Sequence, residues 1–237
     1  MDYAIIAAGE GSRLAREGVE LPKPLVRLQG VPLIDRLIDI FSRNEAESIS
    51  IIVNKEMTAV REHLEKKVFS VPFNLIVQST PSSMHSFSEL SKFLKNGKFC
   101  LTTVDTIFRE DEFSRFIRSF EQDGESDGMM AVTGFIDDEK PLYIAVDQET
   151  MRIKDFYDSK QDGISYISGG IYGLTPKAIP VLDKCMQEGI SRMRNYQRRL
   201  IQEGLQLKAY PFSKIIDVDH AGDIPKAEDF ILNIYEN

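Results

Sequence analysis

The chain has 237 residues, 42% hydrophobic and 28% charged, with a formal net charge of −8. These proportions exclude a disordered or fibrous chain, and the acidic balance opposes non-specific nucleic-acid binding, so any polyphosphate would need a local cluster of cations or a metal. Two cysteines make no disulfide framework and no run reaches the ~18 apolar residues of a membrane span; a cytoplasmic single domain over 1–237 is expected, without membrane or nucleic-acid partners and with an oligomer left open.

The run Tyr3 to Ala8 is apolar without alternation, which predicts a strand buried on both faces that delivers the next loop to one end of a sheet. That loop reads Gly9-Glu10-Gly11-Ser12-Arg13. Gly9 and Gly11 permit positive φ and let backbone amides approach an anion closely. Two familiar phosphate motifs do not match: the dinucleotide fingerprint needs a third glycine where Leu14 stands, and the Walker loop needs Gly-Lys-Ser/Thr where the chain has Gly11-Ser12-Arg13. Arg13 offers a planar fork and Lys23 a compact charge, so the two could hold different phosphates of one triphosphate. The plainer reading is a tight turn followed by surface cations, and Lys23, between Pro22 and Pro24, is expected to be an exposed loop cation.

Helical spacing over Pro32 to Asn44, a buried strand Ile49 to Val53, an amphipathic helix Thr58 to Lys67, a strand Phe73 to Val77, a helix Ser86 to Leu94 and a strand Phe99 to Val104 follow in order. This alternation predicts an α/β fold whose Rossmann-like, mixed and mostly parallel central sheet is flanked by helices. After a helix Asp111 to Phe120, the strand-like runs Met129 to Phe135, Leu142 to Val146, Arg152 to Tyr157 and Tyr166 to Leu174 should extend the sheet and wall its ligand end. Helices Lys177 to Gln187 and Arg192 to Glu203, strands Leu207 to Phe212 and Ile215 to Val218, and a helix Asp223 to Tyr235 complete the reading. Cys100 and Cys185 read as buried packing residues.

Asp105 follows a strand, where a carboxylate enters the same crevice as the glycine loop if the strands are parallel; a turn or helix cap is the alternative use. In Asp217-Val218-Asp219, alternation puts both carboxylates on one face, a donor set suited to a hard divalent cation. His220 reads as a cap or supporting contact rather than a ligand. Ser82 to Ser86 either offers hydroxyls or caps a helix, and Gly169-Gly170 marks the close approach of a ligand or a neighbouring backbone.

Ala7-Ala8-Gly9-Glu10-Gly11-Ser12-Arg13-Leu14, Pro22-Lys23-Pro24-Leu25 and Gly30-Val31-Pro32-Leu33-Ile34, continued at Val104-Asp105 and Asp217-Val218-Asp219, resemble the signature of the sugar-1-phosphate nucleotidylyltransferases, or nucleotide-sugar pyrophosphorylases. The resemblance implies the nucleotide-diphospho-sugar transferase fold and transfer from a nucleoside triphosphate to a sugar 1-phosphate, as in nucleotide-sugar biosynthesis. It implies that Ala8, Gly9, Gly11, Ser12 and Arg13 hold the triphosphate, that Lys23 meets the α-phosphate, and that Asp105 and Asp219 bind magnesium, with manganese as the alternative. Gln78 and Ser83 would face the nucleotide; Gly170 and Lys160 would face the acceptor. The chain departs from the family at Val104, where glycine is usual, at His220, where Thr or Ser is usual, and in lacking a Gly-Thr-Ala run. Its serine-rich segment is similar to cytidylyltransferases for phosphocholine, which makes another phosphorylated acceptor the runner-up. A glycosyltransferase of related fold and a non-catalytic nucleotide-sensing module are the readings from other classes.

Overall fold

Strand β1 (Asp2–Ala7) is buried on both sides, as its uninterrupted apolar run requires: Tyr3, Ile5 and Ala7 join one core cluster, Ala4 and Ile6 the other. The computed structural model describes residues 1–137 and 139–232. After β1 comes a single short turn of helix, α1 (Ser12–Arg16), then a 3-10 turn at Lys23–Leu25 and a hairpin of two-residue strands, β2 (Arg27–Leu28) and β3 (Val31–Pro32). Helix α2 (Leu33–Arg43) buries Leu33, Ile34, Leu37 and Phe41 on the Tyr3 side. Strand β4 (Ser48–Val53), helix α3 (Thr58–Glu65) and strand β5 (Phe73–Val77) repeat the unit.

Helix α4 (Ser83–Leu90) packs Met84, Phe87 and Leu90 on the opposite face and leads to β6 (Phe99–Thr103). The helix expected over Ser86 to Leu94 thus starts earlier and gives way at Ser91–Phe93 to a 3-10 turn. Extended Ser82 precedes the helix without a side-chain cap bond to its backbone; the Ser82 hydroxyl pairs instead with His85 Nδ1 at 2.8 Å. Strand β7 (Thr106–Phe108), too short for a periodic signal, precedes α5 (Glu110–Gln122).

The strand-rich half consists of β8 (Gly128–Thr133), β9 (Tyr143–Val146), β10 (Ile153–Tyr157) and β11 (Tyr166–Leu174), followed by α6 (Ala178–Gln187), α7 (Met193–Gln202), β12 (Leu207–Phe212), β13 (Ile215–Asp217) and α8 (Asp223–Leu232). The last three residues of the helix expected to reach Tyr235 lie outside the described residues. Nine strands form one sheet in the order β10-β9-β11-β6-β1-β4-β5, with β8 on β11 and β12 on β8. β1, β4, β5 and β6 run parallel, whereas β11 is antiparallel to β6, β8 and β9. Helices cover both faces, α2 and α5 on the Tyr3 side and α4, α6 and α7 on the other. Cys100 and Cys185 are both free and buried. Among the described residues no helix is long and apolar enough to cross a membrane.

Candidate active site

Parallel pairing puts the carboxyl ends of β1, β4, β5 and β6 at one edge, so the loop after β1 and the turn after β6 meet there. A cavity of about 410 Å³ opens between them, and Ala8, Gly9, Gly11, Ser12, Arg13, Lys23, Ser83, Asp105 and Asp219 all line it. Gly11 has φ +61° as the N-cap of α1, and a Cβ there would stand 3.1 Å from Lys23 Cβ. Only glycine suits both demands. Gly9 differs from expectation: it has no positive φ, and a Cβ there would meet open space.

Lys23 corrects the sequence reading most sharply. It is 8% exposed, not a surface cation. Its Nζ donates to Asp105 Oδ2 and, at 2.6 Å, to Asp219 Oδ1, while Arg13 Nη1 donates to Asp219 Oδ2 at 2.9 Å. Burial works against the Lys23 ammonium, but the charges of Asp105 and Asp219 and its hydrogen bonds to them win, so its pKa rises. Asp105 shows the mirror image: burial alone would push its carboxyl up, and Lys23 brings it below the ordinary carboxylate value. Asp219 lies beyond the end of β13, where its backbone N–H and that of His220 donate to Asp223 Oδ2 at 3.2 and 2.8 Å. His220 turns aside, its Nδ1 pairing with Glu17 Oε1 at 2.6 Å.

The donor set fits a hard divalent cation in part. Asp105 Oδ1 is buried and makes no hydrogen bond of ordinary geometry among the described residues, while the Thr103 hydroxyl, paired with that of Thr106 at 2.8 Å, lies beside the carboxyl and helps to hold its pKa down. Asp105 and Asp219 already converge on one point, which the Lys23 ammonium holds. No group of three or more His, Cys, Asp or Glu among the described residues could hold a metal, so two carboxylates are what this site offers.

A second cavity of about 320 Å³ shares Ser83, Thr103 and Asp105 with the first and continues past Gly170, Tyr172 and Asp217. Gly169 and Gly170 sit where the register of β11 on β8 shifts, and Gly170 takes φ +71°. A Cβ at Gly170 would meet the Thr106 hydroxyl at 3.2 Å, and one at Gly169 would strike Ile215, so both glycines serve close approach. Burial pushes the Tyr172 phenol up to about 12, which keeps it a neutral hydrogen-bonding group. Lys140, Arg192 and Arg194 supply the cations of this wall. Arg194 is bound to Asp158 at 2.6 Å and to the Lys140 carbonyl at 2.8 Å. Arg192, at the start of α7, is exposed and holds φ +74°, a conformation that is strained for a side chain of its kind.

None of these three cations stands out in the sequence. Lys160, the expected acceptor contact, is exposed on the bend after β10 and lines neither cavity. The adjoining Asp158 explains this: Arg194 and Arg198 draw it toward α7, at 2.6 and 2.9 Å, and the chain turns outward after it. Gln78 is also exposed and lines neither cavity; its backbone N–H extends the ladder to Val53 at 2.9 Å.

A family model described as nucleotidyl transferase matches residues 3–232. The bifunctional protein GlmU of Thermodesulfovibrio yellowstonii is 25% identical over 225 residues, covering 90% of this chain and 48% of that protein. The chain spans about half the length of the curated relatives it matches. Among solved structures, the inositol-1-phosphate CTP transferase from T. maritima aligns with a TM-score of 0.82 at 19% identity, over 100% of this chain and 96% of that one. The CTP:phosphocholine cytidylyltransferase of Streptococcus pneumoniae aligns with a TM-score of 0.72 at 20% identity, over 97% and 98% of the two chains. At these identities the structural likeness is one of fold.

Proposed function

This chain belongs to the nucleotidyl transferase family, and we propose that it joins a nucleoside triphosphate to a sugar 1-phosphate, releasing pyrophosphate. One observation carries the reading: Arg13, Lys23, Asp105 and Asp219, up to 206 residues apart, form a single charged cluster beside the glycine loop.

The acceptor phosphate attacks the α-phosphorus in line, and pyrophosphate leaves. Charge spreads over phosphoryl oxygens, so the protein contributes position and electrostatic stabilisation rather than a covalent step. The backbone of Gly9 to Gly11 and the Arg13 fork hold the β- and γ-phosphates. Lys23 exchanges its carboxylate partners for the α-phosphate, which frees Asp105 and Asp219. Those two carboxylates would hold magnesium, which when bound supplies neutralisation of phosphoryl charge. On the acceptor side, Arg192 meets the attacking phosphate and Gly170, packed close against Thr106, forms part of the wall.

A second reading, cytidylyl transfer to phosphocholine or another phosphorylated alcohol, is favoured by Asp217, an acid that lines the acceptor cavity and faces a neighbouring cavity of about 360 Å³ that also holds Asp137 and Glu139. Pyrophosphate release from each common triphosphate, tested against glucose 1-phosphate, N-acetylglucosamine 1-phosphate, inositol 1-phosphate and phosphocholine, decides between them. Release with no acceptor in such a panel would overturn nucleotidyl transfer to either class.

A further inference from the structure

The ends of β1, β4 and β5 stand side by side, Ala7 opposite Val53 and Val53 opposite Val77. The next residue of each strand therefore lies at one level: Ala8 opens the glycine loop, Asn54 follows β4, and Gln78 follows β5. Asn54, the middle one, is 9% exposed, and its amide reaches both sides. Nδ2 donates to the Ala8 carbonyl at a long 3.5 Å, while Oδ1 accepts from the Ser79 hydroxyl at 2.7 Å and from the Glu56 N–H at 3.0 Å. The partners fix the amide's orientation, since two donors meet its oxygen and a carbonyl meets its nitrogen. Aspartate would keep the first pair and turn an anion on the Ala8 carbonyl; alanine would lose all three contacts. Asn54 also lines the back of the loop, beside Gly11 and Lys23, away from the charged cavity.

We propose that Asn54 is a positioning residue for the nucleotide: by tying Ala8 to Ser79 it sets the gap between the loop that holds the phosphates and the segment after β5, and it touches no substrate. The inference rests on the nucleotidyl-transfer reading above. A side chain that only filled space would change how much protein folds. A positioning residue changes how tightly the folded protein holds a triphosphate.

Binding without acceptor separates the two. Calorimetric titration of the wild-type chain with magnesium and each of CTP, UTP, GTP, ATP and dTTP identifies the triphosphate that binds; binding of none would overturn the functional reading and this inference together. With that triphosphate, Asn54→Ala and Asn54→Asp should each weaken affinity about ten-fold, the scale of one lost buried hydrogen bond, with native circular dichroism and an unchanged acceptor KM. Ser79→Ala should weaken it less, and Asn54→Ala with Ser79→Ala no more than Asn54→Ala alone, because Ser79 acts through the amide. Wild-type affinity in the folded Asn54 variants, with the wild-type chain still binding, overturns this inference alone. Should Asn54→Ala fail to fold, Asn54→Asp and Ser79→Ala decide: unchanged affinity in both overturns the proposal, and weakened affinity in either supports it.

Discussion

Gly11 and Lys23 touch through a missing side chain: a Cβ on the glycine would stand 3.1 Å from the Cβ of the lysine. The glycine loop and the Pro22-Lys23-Pro24 turn are therefore packed against one another, and the aim of the Lys23 ammonium depends on it. Gly11→Ala meets both that contact and its φ of +61°, so it should cost about 1–2 kcal/mol in stability. Turnover should fall on the order of 10²-fold, the effect of roughly 1 Å of misplacement. Gly9→Ala, where the Cβ meets open space, should leave stability unchanged and raise the nucleotide KM. Urea melts and steady-state kinetics on the two variants check the contrast.

Lys23→Met removes the ammonium that two acids share. Because Lys23 is 8% exposed and Asp105 is left without a counter-charge, the variant should lose about 3 kcal/mol, the low end for breaking a buried pair, since Asp219 is 41% exposed and screened by water. Turnover should fall on the order of 10² to 10³-fold. Adding Asp105→Asn should restore much of the stability and none of the turnover. A single variant as stable as the parent would contradict the buried pairing.

Magnesium binding should be conditional on the nucleotide. The Lys23 ammonium occupies the point where Asp105 and Asp219 converge, so titration with magnesium alone should give little heat, and titration after the triphosphate a defined site. Chelator should abolish activity, and magnesium or manganese restore it. Asp105→Asn should weaken the nucleotide-dependent site. Tight magnesium binding by the ligand-free chain would show that Lys23 does not compete.

Arg192 holds φ +74° without a glycine's freedom. Relief of a strain of about 1–3 kcal/mol is set against the entropy of a new glycine, about 0.5–1 kcal/mol, so Arg192→Gly should be at least as stable as the parent. It should raise the acceptor KM and leave the nucleotide KM alone. Thermal melts with both KM values test this, and an unchanged acceptor KM would show that Arg192 does not meet the acceptor.

Asp123, remote from the site, sets an acid limit on the fold. Burial pushes its carboxyl up, but Lys208 at 2.8 Å and the N–H groups of Ser126 and Glu125 hold it far below the ordinary value of 3.8. With the folded pKa below the unfolded one, its contribution is full above about pH 4 and is lost as pH falls through the folded value. Asp123→Asn should lower stability at pH 7 and flatten the loss between about pH 4 and pH 2, measured by denaturation at each pH.

What could be read in advance follows from how each signal is encoded. Arg13, Lys23, Asp105 and Asp219 stand next to glycines, prolines or strand ends, so local chemistry marks them. The burial of Lys23 was not legible, because the acids that bury it lie 82 and 196 residues away. Arg192 and Arg194 look like ordinary helix cations, and only the seating of α7, held to β10 by Arg198 on the Phe156 carbonyl at 3.1 Å, brings them to the second cavity. The place of Lys160 is not legible for the same reason: Asp158 ties the chain to α7 before it turns away from both cavities. The parallel half of the sheet was plain from buried runs, whereas α1 and β7 are too short for any period to show.

The span between Lys23 and Asp219 also has a meaning in time. A ribosome adding roughly 5–20 residues per second needs on the order of tens of seconds to travel from the lysine to that aspartate. Throughout that interval the nascent chain carries its two loop cations and lacks the acid that joins them. A translation product that stalls before residue 219 therefore lacks one of the two carboxylates that Lys23 bridges, and the charged cluster is complete only when the strand ends from both halves have met.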